Sequence, residues 1–104
     1  MTIREDMGKG HFRNTVSVEV KGGGDRRNIY NRMGEAEKSH LKAKSAGFTE
    51  FWTIVNVPRS KYDPAKAKAA SPTTHEFYDL ALLKVRTGSV YDDFRRRIVS
   101  YTGI

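Results

Sequence analysis

Apolar and polar residues alternate along Thr15-Val16-Ser17-Val18-Glu19-Val20, which puts three valines on one face of a strand and Thr15, Ser17 and Glu19 on the other. The same parity adds Phe12 to the valine face. That face is expected to meet a core, and the polar face to meet water or a partner. Gly22-Gly23-Gly24-Asp25 breaks the strand and opens a helix expected over residues 26–46. Asp25 suits its N-cap, Gly47 its left-handed stop, and Lys42 and Lys44 the negative end of its dipole. Ile29, Tyr30, Met33, Ala36, Leu41 and Ala43 form the stripe expected to be buried. Gly34 inside the helix costs about 1 kcal/mol relative to alanine.

Residues 51–57 (Phe-Trp-Thr-Ile-Val-Asn-Val) are apolar on both parities, the mark of a central strand covered on two faces, or covered on one with the other awaiting a partner. Pro58 ends the run because it cannot donate to a ladder. A strand, a helix and a second strand in this order predict a right-handed parallel crossover. Residues 58–74 read as a long basic connector in which Asp63-Pro64 caps one or two helical turns lying on the surface.

Residues 76–85 satisfy two patterns. Leu80, Ala81, Leu82, Leu83 and Lys84 are strong helix formers, yet apolar residues all round so short a helix would need burial on every side. A two-stranded sheet is marginal in water, so the strand is preferred here as the third of the sheet. The last element is clearer: Ser89 caps a helix with Asp92 and Asp93 in its first turn and Tyr91, Phe94, Ile98 and Tyr101 as one apolar stripe. Arg96 points away from that stripe. The expected fold is a small α+β domain over residues 15–104, a β-α-β-(basic connector)-β-α sandwich. It is ferredoxin-like in outline but lacks a fourth strand, and residues 1–14 precede it as a mobile basic and polar arm, or alternatively as a short edge strand leading into Phe12.

Charge then narrows the chemistry. The chain of 104 residues has nineteen basic and twelve acidic residues, a net charge of +7, and most of the excess falls in the first helix and the connector. Such a surplus attracts polyanions and acidic protein surfaces through one long-range field. Arg26, Arg27, Arg59, Lys61, Lys66 and Lys68 are the residues expected to contact a nucleic acid or other anionic partner, with Tyr62 as a stacking group.

Catalytic motifs are weak by comparison. The triglycine turn lacks G-x-G-x-x-G spacing and the G-K-[ST] ending of a phosphate loop. His11, His40 and His75 share no metal-ligand spacing and read as surface or capping residues. With no cysteine, thiolate metal sites, thiol nucleophiles and disulfides are excluded. An RNA-recognition motif fails at residues 76–80, and a helix-turn-helix over residues 82–98 would require residues 76–85 to be helical.

No apolar run approaches a membrane span, and the N-terminus has no signal-peptide core, which points to the cytoplasm. The function expected from these observations is a small non-enzymatic accessory or regulatory protein binding nucleic acid or a nucleic-acid-handling complex. The alternative is a protein–protein module, an inhibitor or assembly subunit, using a sheet edge and the terminal helix. No cofactor, metal or catalytic residue is implied, and enzymatic activity ranks behind both readings.

Overall fold

The N-terminal segment folds as a hairpin of β1 (Thr2–Gly8) and β2 (His11–Lys21). Its turn is left-handed at Gly8, Lys9 and Gly10, a conformation that glycine adopts without the steric cost of a Cβ. Asp6 braces it by accepting the Gly8 amide at 2.8 Å. The computed structural model describes residues 1–21 and 28–102, so the triglycine turn and the Asp25 cap lie outside the described residues.

Residues 1–14 thus take the edge-strand alternative rather than the mobile arm and include the start of β2, and the sheet has four strands rather than three. Ile3 is buried beside Val16 and Val18. The register steps from Ile3↔Val16 to Arg4↔Asn14, so Thr15 bulges out of the pairing. A bulge reverses parity on its far side. Phe12, expected on the valine face, accordingly lies outside the core and is 60% exposed.

The sheet order is β1-β2-β3-β4, with β3 (Glu50–Val55) parallel to β2 and β4 (Glu76–Asp79) parallel to β3. Helix α1 (Ile29–Ser45) crosses from β2 to β3, and α2 (Pro64–Ala70) from β3 to β4, both over one face. Helices α3 (Leu80–Lys84) and α4 (Ser89–Thr102) cover the other. The described residues therefore form a small α+β domain with a mixed four-stranded sheet and four helices. None of these helices is long and apolar enough to cross a membrane.

Two cores follow from this layering. Val16, Val18, Trp52, Ile54 and Tyr78 meet Phe94, Ile98 and Tyr101 of α4, while Val55 and Val57 meet Ile29 and Met33 of α1 and Ala67 of α2. That is why β3 is apolar on both parities. Helix α1 ends as its sequence predicts, with Gly47 at φ +97° and the Phe48 amide bonded to the Ala43 carbonyl at 3.1 Å.

Most of the polar face of β2 is shielded from water. Thr15 and Ser17 are buried beneath α1. The stripe that α1 sets on them is Ile29, Met33, Ala36 and His40, whereas Leu41 is half exposed. The intervals of four, three and four keep to one face of a helix, and Leu41 falls off it. His40, expected at the surface, is buried because Ser17 and Thr53 supply its hydrogen bonds.

Two shorter elements depart from expectation in the same way. Residues 76–85 divide at Asp79, which ends β4 and N-caps α3 by accepting the Ala81 amide at 2.9 Å. The strand reading thus holds only for the first half. In the connector, Asp63 caps α2 with Pro64 as its first residue, and Ala67 is fully buried instead of lying on the surface. A short 3-10 turn (Arg59–Lys61) precedes it.

Candidate active site

Strands β2, β3 and β4 run parallel, so their C-terminal ends share one edge. In open sheets of this kind ligands bind at that edge, where the loops diverge. Glu19 and Lys21 lie there. Being two residues apart they project from the same side of β2, toward α1. The Lys21 ammonium is 3.9 Å from Glu19 Oε2 and 3.9 Å from Glu35 Oε2 on α1.

The strand backbone fixes this trio. Lys21 pairs with Val55, its carbonyl accepts the Asn56 amide at 3.3 Å, and Glu19 sits opposite Thr53. The Glu19 and Lys21 side chains are 26% and 21% exposed, against 63% for Glu35. Partial burial strengthens their field relative to water while leaving a path for a substrate. Separations of 3.9 Å are long for hydrogen bonds, so the ammonium is held electrostatically between two carboxylates.

Beneath the trio lies a buried polar chain. The Ser17 hydroxyl is 3.3 Å from His40 Nδ1, His40 Nε2 is 3.0 Å from the Thr53 hydroxyl, and that hydroxyl is 2.7 Å from Thr74. Thr74 in turn is 2.7 Å from the Ser71 hydroxyl. Burial lowers the His40 pKa from its ordinary value, and the nearby Glu19 and Glu37 carboxylates offset this only in part. The ring is therefore neutral at pH 7.

This arrangement is suited to phosphoryl chemistry. A strand-end carboxylate can ligate a divalent cation, and an adjacent ammonium can stabilise charge developing on a phosphate oxygen. Among the described residues no three His, Asp or Glu side chains converge closely enough to cage a metal alone. A single strand-end carboxylate such as Glu19 would need water and substrate phosphate to complete the coordination of a magnesium ion.

The residues expected to meet an anionic partner divide into three groups. Arg26 and Arg27 lie outside the described residues. Arg59 and Lys61 follow β3 at the same sheet edge as Lys21, both exposed, with Arg59 donating to the Phe77 carbonyl at 3.4 Å. Lys66 and Lys68 are exposed on α2, which runs away from that edge, and Lys68 bonds the Thr74 carbonyl ahead of β4. Tyr62, expected to stack on bases, is half-buried against the core under α1, and burial raises its pKa against the opposing pull of Arg59.

Sequence reasoning passed over Glu19 and Lys21. The available signal was an acid and a base on one parity at the last positions of a strand, just before a glycine run. Glu19 read as the wet side of an amphipathic strand, and Lys21 was given no role, because nothing in the alternation reveals that α1 covers that side.

The sequence model for the XcyI restriction endonuclease family matches residues 1–104. The chain is 56% identical over 102 residues to the type II restriction enzyme XcyI of Xanthomonas campestris pv. cyanopsidis. It is 53% identical over 102 residues to the type II restriction enzyme Cfr9I of Citrobacter freundii. Each match covers 98% of this chain and 30% of the relative, so the chain spans under a third of their length. No solved structure matches. These matches overturn the expectation of a non-enzymatic accessory or regulatory protein, and with it the inhibitor or assembly-subunit alternative. An acidic protein partner gains no support from them either. At this identity over its whole length, the chain belongs to the XcyI restriction endonuclease family.

Proposed function

We propose that this chain carries the phosphodiester-cleaving edge of a DNA endonuclease, with Glu19 and Lys21 as its catalytic pair. The observation that carries this reading is their juxtaposition on one side of β2, at the C-terminal edge of the parallel strands. Glu19 is the carboxylate that holds a divalent cation, which revises the expectation of no cofactor. When bound, that ion supplies Lewis-acid polarisation of the phosphate and a more acidic water. Lys21 places its positive charge where the scissile phosphate gains negative charge in the transition state. Glu35, also 3.9 Å from the ammonium, shares with Glu19 the attraction on Lys21.

The remaining basic residues have a binding role. Arg59 and Lys61 contact backbone phosphates beside the cleavage edge, and Lys66 and Lys68, with Arg26 and Arg27, extend the positive field along the duplex. Such contacts position the DNA without reading its sequence.

The test is cleavage of supercoiled plasmid by the protein in the presence of magnesium. Glu19→Gln and Lys21→Met are expected to abolish cutting while retaining the circular-dichroism spectrum and DNA binding. A wild-type protein that leaves the plasmid intact, or variants that cut at the wild-type rate, would refute the proposal.

A further inference from the structure

The polar chain beneath the catalytic edge is unusual for so lean a core. Ser17, His40, Thr53, Ser71 and Thr74 are all buried, and all are hydrogen-bonded to one another in series. For stability alone, apolar side chains of similar volume serve as well, because a buried network gains little over solvated groups and loses much when one member fails. What a network adds is geometry.

The position of the imidazole shows which geometry it fixes. His40 touches Ser17, two residues before Glu19 on the same side of β2. Its other nitrogen touches Thr53, the residue directly opposite Glu19 on β3. One ring, anchored on α1, therefore grips the two strand positions that flank the catalytic carboxylate. A shift of β2 by one residue would present Val16 or Val18 to Nδ1 and break the bond. Thr53 is tied onward to Thr74 and Ser71, which anchors the same point to the segment entering β4.

We propose that His40, acting through Ser17 and Thr53, is a positioning residue that holds Glu19 in place for DNA cleavage. The inference rests on the catalytic role proposed for Glu19. It assigns His40 no contact with DNA or metal. Small displacements of a catalytic group are costly to the reaction, so the signature of the role is a loss of turnover without a loss of binding.

The experiment measures kcat and KM for plasmid cleavage, with thermal melting, in His40→Leu, His40→Gln and Thr53→Val. His40→Leu removes both grips, and Thr53→Val removes one while keeping the volume. The expected result is a fall in kcat of about tenfold or more in His40→Leu and Thr53→Val, with KM within about twofold of wild type. His40→Gln, which keeps a donor and an acceptor, recovers most of the lost turnover. Should His40→Leu fail to fold, Thr53→Val decides alone. Wild-type kcat in the folded variants, or an equal loss in His40→Gln and His40→Leu, would overturn the positioning role. Glu19→Gln is assayed alongside: cleavage by that variant refutes the catalytic reading itself. An inactive Glu19→Gln beside fully active Thr53→Val removes only the role of His40.

Discussion

Trp52 and Phe94 face each other across the boundary between the sheet and α4, with ring centroids 5.7 Å apart and planes inclined at 59°. Phe94 also meets Tyr78 edge-on at 5.1 Å, and Trp52 meets Tyr101 at 5.9 Å. This tilted cluster, together with the aliphatic packing of Val90 and Ile98, fastens the last helix to the sheet, and such aromatic pairs add to the burial they bring. Tyr78 is further fixed by donating to Asp93 at 3.0 Å. Burial, with that carboxylate, pushes its pKa well above the ordinary tyrosine range.

Phe94→Ala is expected to lower unfolding free energy by about 3 kcal/mol, through cavity formation between Trp52 and Tyr78. Arg96→Ala is expected to stay within about 0.5 kcal/mol of wild type, since its bond to Asp93 lies at the surface. Urea denaturation of both variants checks the pair. Unfolding by Arg96→Ala with no effect of Phe94→Ala would mean that α4 presents its other face to the sheet.

His40 predicts a dependence of stability on pH. Its folded pKa lies below the ordinary 6.5, so between the two values the unfolded chain binds more protons than the folded one. Its contribution is complete above pH 6.5 and declines as pH falls from there toward the folded pKa. Melting temperatures of wild type and His40→Gln between pH 5 and pH 8 would show the acid-side decline flattening in the variant. Parallel curves would deny histidine this part.

Arg59 and Lys61 differ from Lys66 and Lys68 in where they lie relative to the proposed cleavage edge, the first pair following β3 there and the second lying on α2. Replacing the first two together with serine is expected to reduce the slope of log binding constant against log salt by about 1.8, the release expected for two phosphate contacts. Replacing the second two is expected to weaken binding less and to leave plasmid cleavage nearer wild type. Equal effects in fluorescence titrations across salt would place the DNA along α2 instead.

Asp79→Ala removes the cap at which β4 turns into α3 and is expected to cost about 1 kcal/mol. Amide exchange at Ala81 and Leu82 is expected to accelerate more than exchange in β3. Uniform loss of protection would show that the junction is not a local element.

The central βαβ crossover was legible because alternation in β2, the two-sided apolar run of β3 and the Gly47 stop all act locally. Strand β1 was legible only as an alternative to a mobile arm, since its charged residues pair through backbone groups that every sequence possesses. Residues 76–85 misled because one polar residue, Asp79, serves both as the last residue of a strand and as the cap of a helix. The proposed catalytic edge was hidden for a different reason. Glu19, Lys21 and His40 acquire their meaning only when α1 folds over β2, and a lone histidine in a helix carries no mark of its burial.

The register of Glu19 opposite Thr53 also has a kinetic side. The β1–β2 hairpin joins near neighbours in the chain, whereas the β2–β3 pairing waits for the whole of α1 to be traversed and its loop entropy overcome. The hairpin is therefore expected to form first, with Glu19 already on it but lacking the strand that sets its place. Pulse-labelled hydrogen exchange would record protection in β1 and β2 before β3. On the function proposed for it, such a nascent chain would hold Glu19 and Lys21 without their alignment, which would arrive only as the later strands close.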